Sequence, residues 1–313
     1  METLGSRLKE LRSEKNITRE EICGTGEVLS PKQLYRIEAN QSTPSIEKVV
    51  YLAQQLGVTL GELFEENMGD LPAEYRSKKY EIISTQILEN HAIIEKVLKD
   101  IESLKKTYES QLPEDEVVVL EALDETIRLY IGEVAAFKST DQIKQQLRLW
   151  VESPYFDINA LTMIKVLLIR ESIYYQKYKK SLFGVMYVDH IIHQLMVHTP
   201  VVTKEDWFLC RDDLIMGVTY YLILDNGRKE ACLDMLALLK EFNQRFQDHQ
   251  KKFIPAMLAW KVSLFLERDL EKAKLQFEQA KAFLVVLEDP LVLEKLTEEW
   301  EKDQRRFQAE YEI

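Results

Sequence analysis

The sequence predicts an all-α fold, and three observations support this class. Apolar residues recur at spacings of three and four along nearly every segment, which is the period of an amphipathic helix. No sustained alternation of apolar and polar residues between turn residues indicates a strand. The 313 residues include only 10 glycines and 8 prolines, so we expect helices joined by short connections.

Composition indicates a folded protein with two domains. Hydrophobic residues make up 46% of the chain and charged residues 30%, which is typical of folded domains, and 313 residues are many for one core. No apolar run is long enough to span a bilayer, and the N-terminus lacks the apolar core of a signal peptide. Cys23, Cys210 and Cys232 are widely spaced, which favours reduced thiols over disulfides. We therefore expect a cytoplasmic protein that does not associate with membranes.

No motif indicates catalysis or a bound cofactor. The sequence contains neither H-E-x-x-H nor a glycine-rich phosphate loop. His190 and His193 in "DHIIH" share one helix face, but no third ligand lies near them in the sequence, so we expect ordinary histidines and no metal site. We expect no cofactor, and we do not expect an enzyme.

Residues 1–66 are predicted to form a compact bundle of five short helices. Helix starts are indicated by capping residues, and a glycine indicates a helix end. The signals in chain order are an apolar stripe at Leu4, Leu8 and Leu11, a capping box at Thr18 with Glu21, helix starts at Ser30 and Ser45, a helix end at Gly57, and a capping box at Thr59 with Glu62.

These segments resemble the helix-turn-helix domain of the XRE/Cro/phage-repressor family. The resemblance is carried by "LGSRLKELRSEKNITREEIC" and "LSPKQLYRIEANQSTPSIEKVVYLAQQLGVTLGELF". The sequence departs from the family in the lengthened turn "GTGEVL" and in Asn40, which replaces a glycine but tolerates the left-handed conformation. The resemblance implies that the third helix, from Ser30 to Glu38, enters the major groove of DNA.

The third helix carries the candidate base-reading residues. Lys32, Gln33 and Arg36 share one side of it, opposite Leu34 and Ile37. Arg36 is the best candidate to pair with a guanine and Gln33 with an adenine, while Lys32 would contact a base or a phosphate. The complete set of candidate DNA-contacting residues is Ser30, Lys32, Gln33, Tyr35, Arg36, Asn40, Gln41 and Thr43.

A structural interpretation of the same residues stays open. In it, Gln33 completes a capping box with Ser30, Tyr35 covers the edge of the bundle, and Lys32 and Arg36 form a solvated face. Residues 1–64 also contain one more acidic than basic residue, and the whole chain has a net charge of −12. Because general attraction to phosphate is then weak, we expect DNA binding to require a homodimer on a palindromic promoter site.

The remaining chain is predicted to be a helical solenoid. We expect a linker over residues 67–75 and, over 76–289, about five helix pairs in a right-handed solenoid similar to tetratricopeptide repeats. The clearest pair has Ala273, Phe277 and Ala280 on its second helix and Trp260 on its first, while Lys261 stands where a small residue is expected. Residues 290–313 are expected to form a helix that caps the solenoid or crosses to a partner subunit, with an apolar side of Leu291, Leu293, Leu296 and Trp300.

A helix-turn-helix followed by such a solenoid resembles the Rgg/RNPP family of peptide-responsive transcription regulators. The resemblance is carried by "ICGTGEVLSPKQLYRIEANQSTPS", by "LPEDE", and by the segment from "HQKKFIPAMLAWKVSLFLERD" to "LEKLTEEWEKD". Within the family, the likeness is greatest to regulators of genetic competence. It implies a short hydrophobic pheromone peptide, imported into the cell, that binds in the concave face of the solenoid. In such proteins the peptide carries a Trp-Trp pair, and its binding frees the DNA-binding domain and permits dimerisation.

Candidate peptide contacts lie on the first helices of the repeats, which line the concave face. Two arginines interrupt apolar helices there, and a bidentate arginine is a good partner for a peptide carboxylate. The candidates are Arg170 and Arg211 for the carboxylate, and Tyr174, Tyr175, Met216, Tyr220 and Trp260 for apolar walls. In the alternative interpretation the aromatic residues are ordinary core, and the arginines pair with Glu171 and Asp212.

The acidic segment "PEDE" suggests an autoinhibitory contact. In this hypothesis, Glu114 or Glu116 pairs with Lys32 or Arg36 when no peptide is bound; in the alternative, the segment is a simple capping turn. Two other functions stay open for the whole chain. One is a tetratricopeptide scaffold or effector similar to the Rap group, which acts through proteins and lacks a helix-turn-helix; the other is a phage-type repressor.

Overall fold

All regular elements among the described residues of the computed structural model are helices, which confirms the all-α class. The structure describes residues 4–58, 63, 71–85, 91–108, 110–132, 141, 144–145, 147, 156–204, 206–224, 227–248, 253–287 and 290–311. The chain divides into two compact units, Met1–Met163 and Ile164–Ile313. None of the described helices is long and apolar enough to cross a membrane.

The first unit begins with the predicted bundle. Its helices are α1 (Leu4–Glu14), α2 (Arg19–Cys23), α3 (Pro31–Glu38) and α4 (Ile46–Leu56). Thr18 and Ser30 each close a capping box at the start of α2 and α3, and Gly57 ends α4 with a left-handed φ of 61°, which confirms these three signals. The predicted fifth helix, with Thr59 and Glu62, lies outside the described residues except for Leu63, which is fully buried in the core of the bundle.

Helices α1 and α3 approach each other closely at Gly5. A Cβ atom at Gly5 would lie 2.1 Å from the carbonyl oxygen of Ile37 and 2.6 Å from Oδ1 of Asn40. Any larger side chain would force α1 away from the end of α3, so the close packing requires glycine at this position. Asn40 itself adopts a left-handed φ of 55°, as expected for a residue that replaces a glycine after a helix.

Three further helices follow in the first unit, α5 (Ala73–Ser84), α6 (His91–Tyr108) and α7 (Glu114–Tyr130). Helix α5 begins at Ala73, so the last three residues of the predicted linker 67–75 are already helical. The reason is burial: Leu71 and Tyr75 pack in the core, and this end of the segment is not a solvated connection.

Helix α8 (Ile158–Tyr178) begins in the first unit and continues into the second. The second unit then contains α9 (Val185–His198), a 3₁₀ turn (Thr199–Val201), α10 (Trp207–Ile223), α11 (Lys229–Arg245), α12 (Phe253–Val262), a π-helical turn (Ser263–Glu267), α13 (Leu270–Leu287) and α14 (Pro290–Tyr311). Helix α10 packs against α11, and α12 packs against α13, as in successive helix pairs.

Helix α14 packs against α13 and covers the end of the last helix pair. The rings of Phe277 and Trp300 stack with centroids 4.8 Å apart, and Trp260 lies edge-on to both. Leu296 and Trp300 are buried as predicted, whereas Leu291, which was expected on the same apolar side, is 72% exposed. The prediction was wrong for Leu291 because this residue lies in the first turn of α14, at the edge of the packed surface.

Lys261 occupies the repeat position where a small residue was expected, and the structure explains the exception. Its Nζ atom donates hydrogen bonds to Glu299 at 2.7 Å and to Asp303 at 2.5 Å, both on α14. The indole Nε1 of Trp260 also donates to Asp303, at 2.9 Å. The lysine therefore joins the last repeat to its cap, a role that the repeat pattern does not contain.

Candidate nucleic-acid and peptide sites

Helix α3 presents a polar side to solvent and an apolar side to the bundle. Leu34 and Ile37 are buried in the core. Lys32, Gln33 and Arg36 are exposed, as the sequence predicted for a helix that reads DNA. Pro31 occupies the first helical turn, where the missing N–H group is not needed, so the N-terminal half of α3 is well defined.

Gln33 takes part in the capping box that the alternative interpretation described. Its Oε1 atom accepts a hydrogen bond from the backbone N–H of Ser30 at 3.0 Å, and its own N–H donates to Oγ of Ser30 at 3.3 Å. These two bonds do not use the Nε2 group, which is the donor that a purine N7 would need. Its Oε1 atom also accepts from the hydroxyl of Ser30 at 3.3 Å, so with the capping box closed Gln33 can donate to a purine N7 but cannot also accept from the N6 amino group of an adenine.

A buried carboxylate fixes the other end of α3. Glu38 is only 6% exposed, and its two oxygens accept hydrogen bonds from Nε of Arg12 at 2.6 Å and Nε of Arg19 at 2.7 Å. Arg12 also donates to the carbonyl oxygen of Ile17 at 3.0 Å. The Glu38 cluster, which consists of Glu38, Arg12 and Arg19, joins α1, α2 and α3. The sequence does not indicate this cluster, because Glu38 lies 26 positions from Arg12 and 19 from Arg19.

Tyr35 contacts this cluster from the solvent side. The guanidinium carbon of Arg19 lies 5.2 Å from the centre of the Tyr35 ring, and the ring is 52% exposed. Such a cation–π contact holds the ring over the edge of the bundle, which agrees with the structural interpretation. The exposed half of the ring still lies on the helix that carries Lys32 and Arg36.

The remaining candidate DNA contacts flank α3. Asn40, Gln41 and Thr43 are exposed beyond its C-terminal end, and Ser30 is half-buried at its start. Their positions at both ends of a groove-entering helix suit contacts to phosphate oxygens.

Glu116, one of the two residues in the proposed autoinhibitory contact, makes other contacts in the structure. Its carboxylate accepts hydrogen bonds from Nζ of Lys79 at 2.5 Å, from the hydroxyl of Tyr75 at 2.6 Å and from Nδ2 of Asn159 at 2.8 Å. All four side chains are buried. In this arrangement Glu116 does not reach solvent and is unavailable to Lys32 or Arg36, so the structure corrects that part of the hypothesis. Glu114 is exposed at the start of α7.

The electrostatics of this buried network follow from its contacts. Burial acts to raise the pKa of Glu116, but the ammonium of Lys79 and the hydrogen bonds hold the pKa below its ordinary value of 4.5. Burial and the neighbouring Glu116 carboxylate raise the pKa of Tyr75, so its hydroxyl stays protonated and donates. The network is therefore a buried ion pair in which the Glu116 carboxylate is ionised and hydrogen-bonded.

The two arginines predicted to bind a peptide carboxylate lie in different surroundings from those expected. Arg211 donates to Oδ1 of Asp212 at 2.9 Å and also pairs with Asp248, so its charge is already balanced, as in the alternative interpretation. Arg170 is fully buried. Glu171, its suggested partner, accepts hydrogen bonds from the backbone N–H groups of Leu182 and Phe183.

The predicted aromatic walls divide into core and surface. Tyr220 and Trp260 are fully buried and Tyr175 is 8% exposed, so these three belong to the core, as the alternative interpretation held. Tyr174 and Met216 are half-buried, and the ring of Tyr174 lies 4.6 Å from that of the exposed Tyr178. Tyr174 and Met216 therefore remain predicted contacts for a ligand.

A groove that the sequence did not indicate runs between α11 and α13, with α12 as its floor. It has a volume of about 530 Å³, within the size range of ligand pockets. Small residues, Pro255, Ala256 and Ala259, form the floor, and Leu236 and Phe283 stand on the walls. We call this the α11–α13 groove. The signal in the sequence is weak, because the stretch of small residues reads as ordinary helix packing.

His190 and His193 are both exposed on α9. Among the described residues, no group of three or more His, Cys, Asp or Glu side chains could hold a metal ion.

Comparison with known proteins covers nearly the whole chain. The family model described as "ComR tetratricopeptide" matches residues 72–300, and a model described as "Helix-turn-helix domain" matches residues 5–67. No curated protein sequence matches the chain significantly.

Several solved structures of ComR are similar to this chain. ComR from Streptococcus suis is 25% identical, with 96% of this chain and 95% of that chain covered and a TM-score of 0.59. ComR from S. thermophilus, solved with DNA and its signalling peptide ComS, is 20% identical, with 96% and 100% covered and a TM-score of 0.55. ComR from Streptococcus vestibularis, solved with its signalling peptide XIP, is 22% identical, with 96% and 98% covered and a TM-score of 0.56.

The family model spans more than two thirds of the chain, and the helix-turn-helix model covers the bundle in front of it. ComR from S. vestibularis is described as a competence regulator, and none of these three relatives is described as an enzyme. The chain belongs to the ComR tetratricopeptide family.

Proposed function

We propose that this chain is a cytoplasmic transcription regulator that binds a short hydrophobic pheromone peptide and then binds DNA as a homodimer. The observation that carries the proposal is the side of α3 on which Lys32, Gln33 and Arg36 lie exposed together. The side chains lie on the third helix of a helix-turn-helix bundle, which is the element that enters the major groove. The relative from S. thermophilus was solved with both DNA and a signalling peptide, which supports the same pair of partners here.

On DNA, Arg36 pairs with a guanine and Gln33 with an adenine, while Lys32 contacts a base or a phosphate. The flanking residues bind phosphate oxygens and set the position of the helix. The Glu38 cluster uses the charges of Arg12 and Arg19 inside the protein. Fewer basic groups are then available for general attraction to DNA, which supports the need for two recognition helices on a palindromic promoter site.

The peptide controls DNA binding by releasing α3 from an autoinhibitory contact. Without peptide, the exposed Glu114 pairs with Lys32 or Arg36 and keeps α3 from DNA. Peptide binding to the solenoid breaks this contact, permits dimerisation and activates target genes, of which competence genes are the first candidates. Helix α14 takes part in dimerisation in addition to covering the last repeat. The proposed peptide contacts are Tyr174 and Met216, which are half-buried on the first helices of their pairs.

A mobility-shift assay tests the proposal. The DNA fragments are the promoter upstream of the protein's own gene and the neighbouring promoters, each with and without short Trp-containing peptides. We expect a shifted band that depends on peptide, and we expect Arg36→Ala to abolish it. Lys15→Ala, which removes an exposed cation that does not belong to α3, is the matched control and keeps the band.

The assay also tests the proposed autoinhibitory contact of Glu114. Glu114→Lys should increase DNA binding in the absence of peptide, whereas Glu102→Lys, an exposed control on α6, should not. Binding that is equally strong with and without any peptide would contradict the sensor function. Absence of binding to every promoter under every condition would contradict DNA regulation altogether and would favour a scaffold.

A further inference from the structure

One buried carboxyl group on α10 has no hydrogen-bond donor. Asp213 is fully buried, and neither of its side-chain oxygens has a hydrogen-bond partner in the structure. The other buried acidic residues in the described part of the chain each accept at least one hydrogen bond; they are Glu38, Glu116, Glu171, Asp206 and Asp303. An ionised carboxylate without donors is very costly in a protein core. Asp213 therefore differs from the other buried acids in its bonding, and its charge state needs a separate account.

The ion pairs beside Asp213 are balanced in charge without it. Asp212, its neighbour on α10, accepts a hydrogen bond from Nζ of Lys165 on α8 at 3.4 Å and one from Nη2 of Arg211 at 2.9 Å. Arg211 also pairs with Asp248. Two cations thus face two carboxylates, and a negative charge on Asp213 would be a fifth charge without a counter-ion.

The other charged groups near α10 follow from its packing. Helix α10 packs against α9, α11 and α12 and is bonded to α8. On these helices and on α10 itself, the charged residues, histidines and cysteines that are not exposed are Lys165, Arg170, Glu171, Asp189, His198, Cys210, Arg211, Asp212, Cys232 and Lys261. Among them, the Lys165 ammonium acts to lower the pKa of Asp213, and the Asp212 carboxylate acts to raise it.

Burial is the largest influence on Asp213. It outweighs the Lys165 ammonium and raises the pKa of the carboxyl group well above its ordinary value of 3.8. This direction agrees with the two observations from geometry, the missing donors and the balanced ion pairs. In the folded protein the group is therefore an uncharged carboxylic acid.

We propose that Asp213 keeps its proton in the folded protein and acts as a proton-dependent lock on α10. The uncharged group packs in the core. When the proton is lost, the negative charge must reach water, so α10 has to loosen from the helices that cover it. Helix α10 is bonded to α8 through Asp212 and through the hydroxyl of Tyr220, which donates to Glu171 at 3.3 Å. Loosening of α10 therefore changes the contact between the first helices of two successive pairs, and makes this part of the solenoid sensitive to pH.

The pH dependence of folding tests the inference. Because the folded state holds a proton that the unfolded chain releases, the contribution of Asp213 to stability is complete below the ordinary pKa and is lost as pH rises through the folded pKa. Between these two values, the equilibrium constant for folding should fall by about tenfold per pH unit through this group. Asp213→Asn keeps the shape of the side chain and cannot ionise, so it lacks this dependence.

Urea denaturation of the full chain between about pH 5 and pH 9 measures the effect, above the acidic range in which Glu116 titrates. The ratio of the folding constants of the wild type and Asp213→Asn should fall from pH 5 upward by about tenfold per pH unit, until the folded pKa is reached. Asp213→Ala, a second variant that cannot ionise, should give the same trend. Asp234→Asn, which removes an exposed acid of α11, is the control and should keep the dependence of the wild type.

Amide hydrogen exchange followed by mass spectrometry tests the loosening. At the upper end of the pH range, peptides from α10 should exchange faster in the wild type than in Asp213→Asn at the same pH, whereas peptides from α13 should exchange equally. A ratio of folding constants that stays constant across the pH range would show that Asp213 holds no proton and would overturn the inference. A falling ratio without faster exchange in α10 would overturn the lock.

Discussion

The ammonium of Lys79 lies 2.5 Å from a carboxylate oxygen of Glu116, and both side chains are almost completely buried. The pair joins α5, which begins directly after the helix-turn-helix bundle and its connection, to α7. Tyr75 and Asn159 satisfy the remaining oxygen positions of the carboxylate, so the first solenoid helices are joined by a complete polar network. A buried ion pair of this kind specifies one arrangement, because removal of either partner leaves the other charge in the core.

Removal of the Glu116 carboxylate should therefore strongly destabilise the folded protein. Glu116→Gln leaves Lys79 buried without a counter-ion and should lower the free energy of unfolding by about 3–5 kcal/mol. The double variant Lys79→Met with Glu116→Leu should lose less than the sum of the two single variants, because no buried charge remains. Urea denaturation followed by circular dichroism measures the stability of Glu116→Gln, of the two single variants and of the double variant. A loss below about 1 kcal/mol for Glu116→Gln would contradict the network.

The same pair makes stability depend on pH. The Lys79 ammonium outweighs the effect of burial and holds the folded-state pKa of Glu116 below its ordinary value of 4.5. Its contribution to stability is therefore complete above the ordinary pKa and is lost as pH falls through the lowered folded pKa. Thermal unfolding between pH 7 and about pH 3 should show the wild type losing its advantage over Glu116→Gln in this acidic range. An advantage that persists unchanged to the lowest pH would contradict an ionised Glu116.

Glu38 should matter for DNA binding although it does not face DNA. Glu38→Gln weakens the hydrogen bonds to Arg12 and Arg19 and should destabilise the bundle by about 2–3 kcal/mol, with a loss of peptide-dependent DNA binding. The control is Glu10→Gln, which removes an exposed pair with Arg7 and should cost less than about 0.5 kcal/mol. Unfolding and mobility-shift assays measure the two effects. Equal behaviour of the two variants would contradict a structural role for the Glu38 cluster.

Gly5 should not tolerate even one added methyl group. In Gly5→Ala, the new Cβ would lie 2.1 Å from the carbonyl oxygen of Ile37, which is backbone and cannot rotate away. The helices must separate, and we expect a loss of about 1–3 kcal/mol in the free energy of unfolding. Gly5 does not adopt a positive φ, so its loss is a steric effect, whereas Gly26→Ala, at a turn glycine with a φ of 77° and open space around it, measures backbone strain alone. An unchanged or raised stability of Gly5→Ala would show that α1 can shift freely.

The thiols should be unreactive in the folded protein. Cys23, Cys210 and Cys232 are buried, and burial raises the pKa of both Cys210 and Cys232 to about 12. At pH 8 almost no thiolate is present, so a thiol-specific colorimetric reagent should react only after unfolding. In denaturant, all three cysteines should react. Rapid reaction of any of the three in the native protein would contradict this burial.

Contacts between near neighbours in the chain were predictable. The capping boxes at Thr18 and Ser30 join residues three positions apart, and Gly57 ends its helix through its own backbone conformation. The exposed side of α3 follows from helical periodicity once Leu34 and Ile37 are known to be apolar. These features depend on local geometry, so the order of residues suffices to predict them.

Contacts between distant residues were not predictable in the same way. Glu116 looked like a surface acid at a helix start, and Arg211 looked like an open partner for a carboxylate. The structure pairs Glu116 with Lys79, and Arg211 with Asp248, each 37 positions away. The charge of a side chain is visible in the sequence, but its partner depends on which helices pack together.

By itself, the sequence determined the all-α class, the helix starts of the DNA-binding bundle and the side of α3 that carries Lys32, Gln33 and Arg36. Only the tertiary structure decided that Glu38 and Glu116 are buried with cations and that Pro255, Ala256 and Ala259 form the floor of the α11–α13 groove. The physical reason is the separation along the chain over which each interaction acts. Helix periodicity and capping act over three or four residues, whereas the burial of a charge depends on packing between helices that lie tens of residues apart.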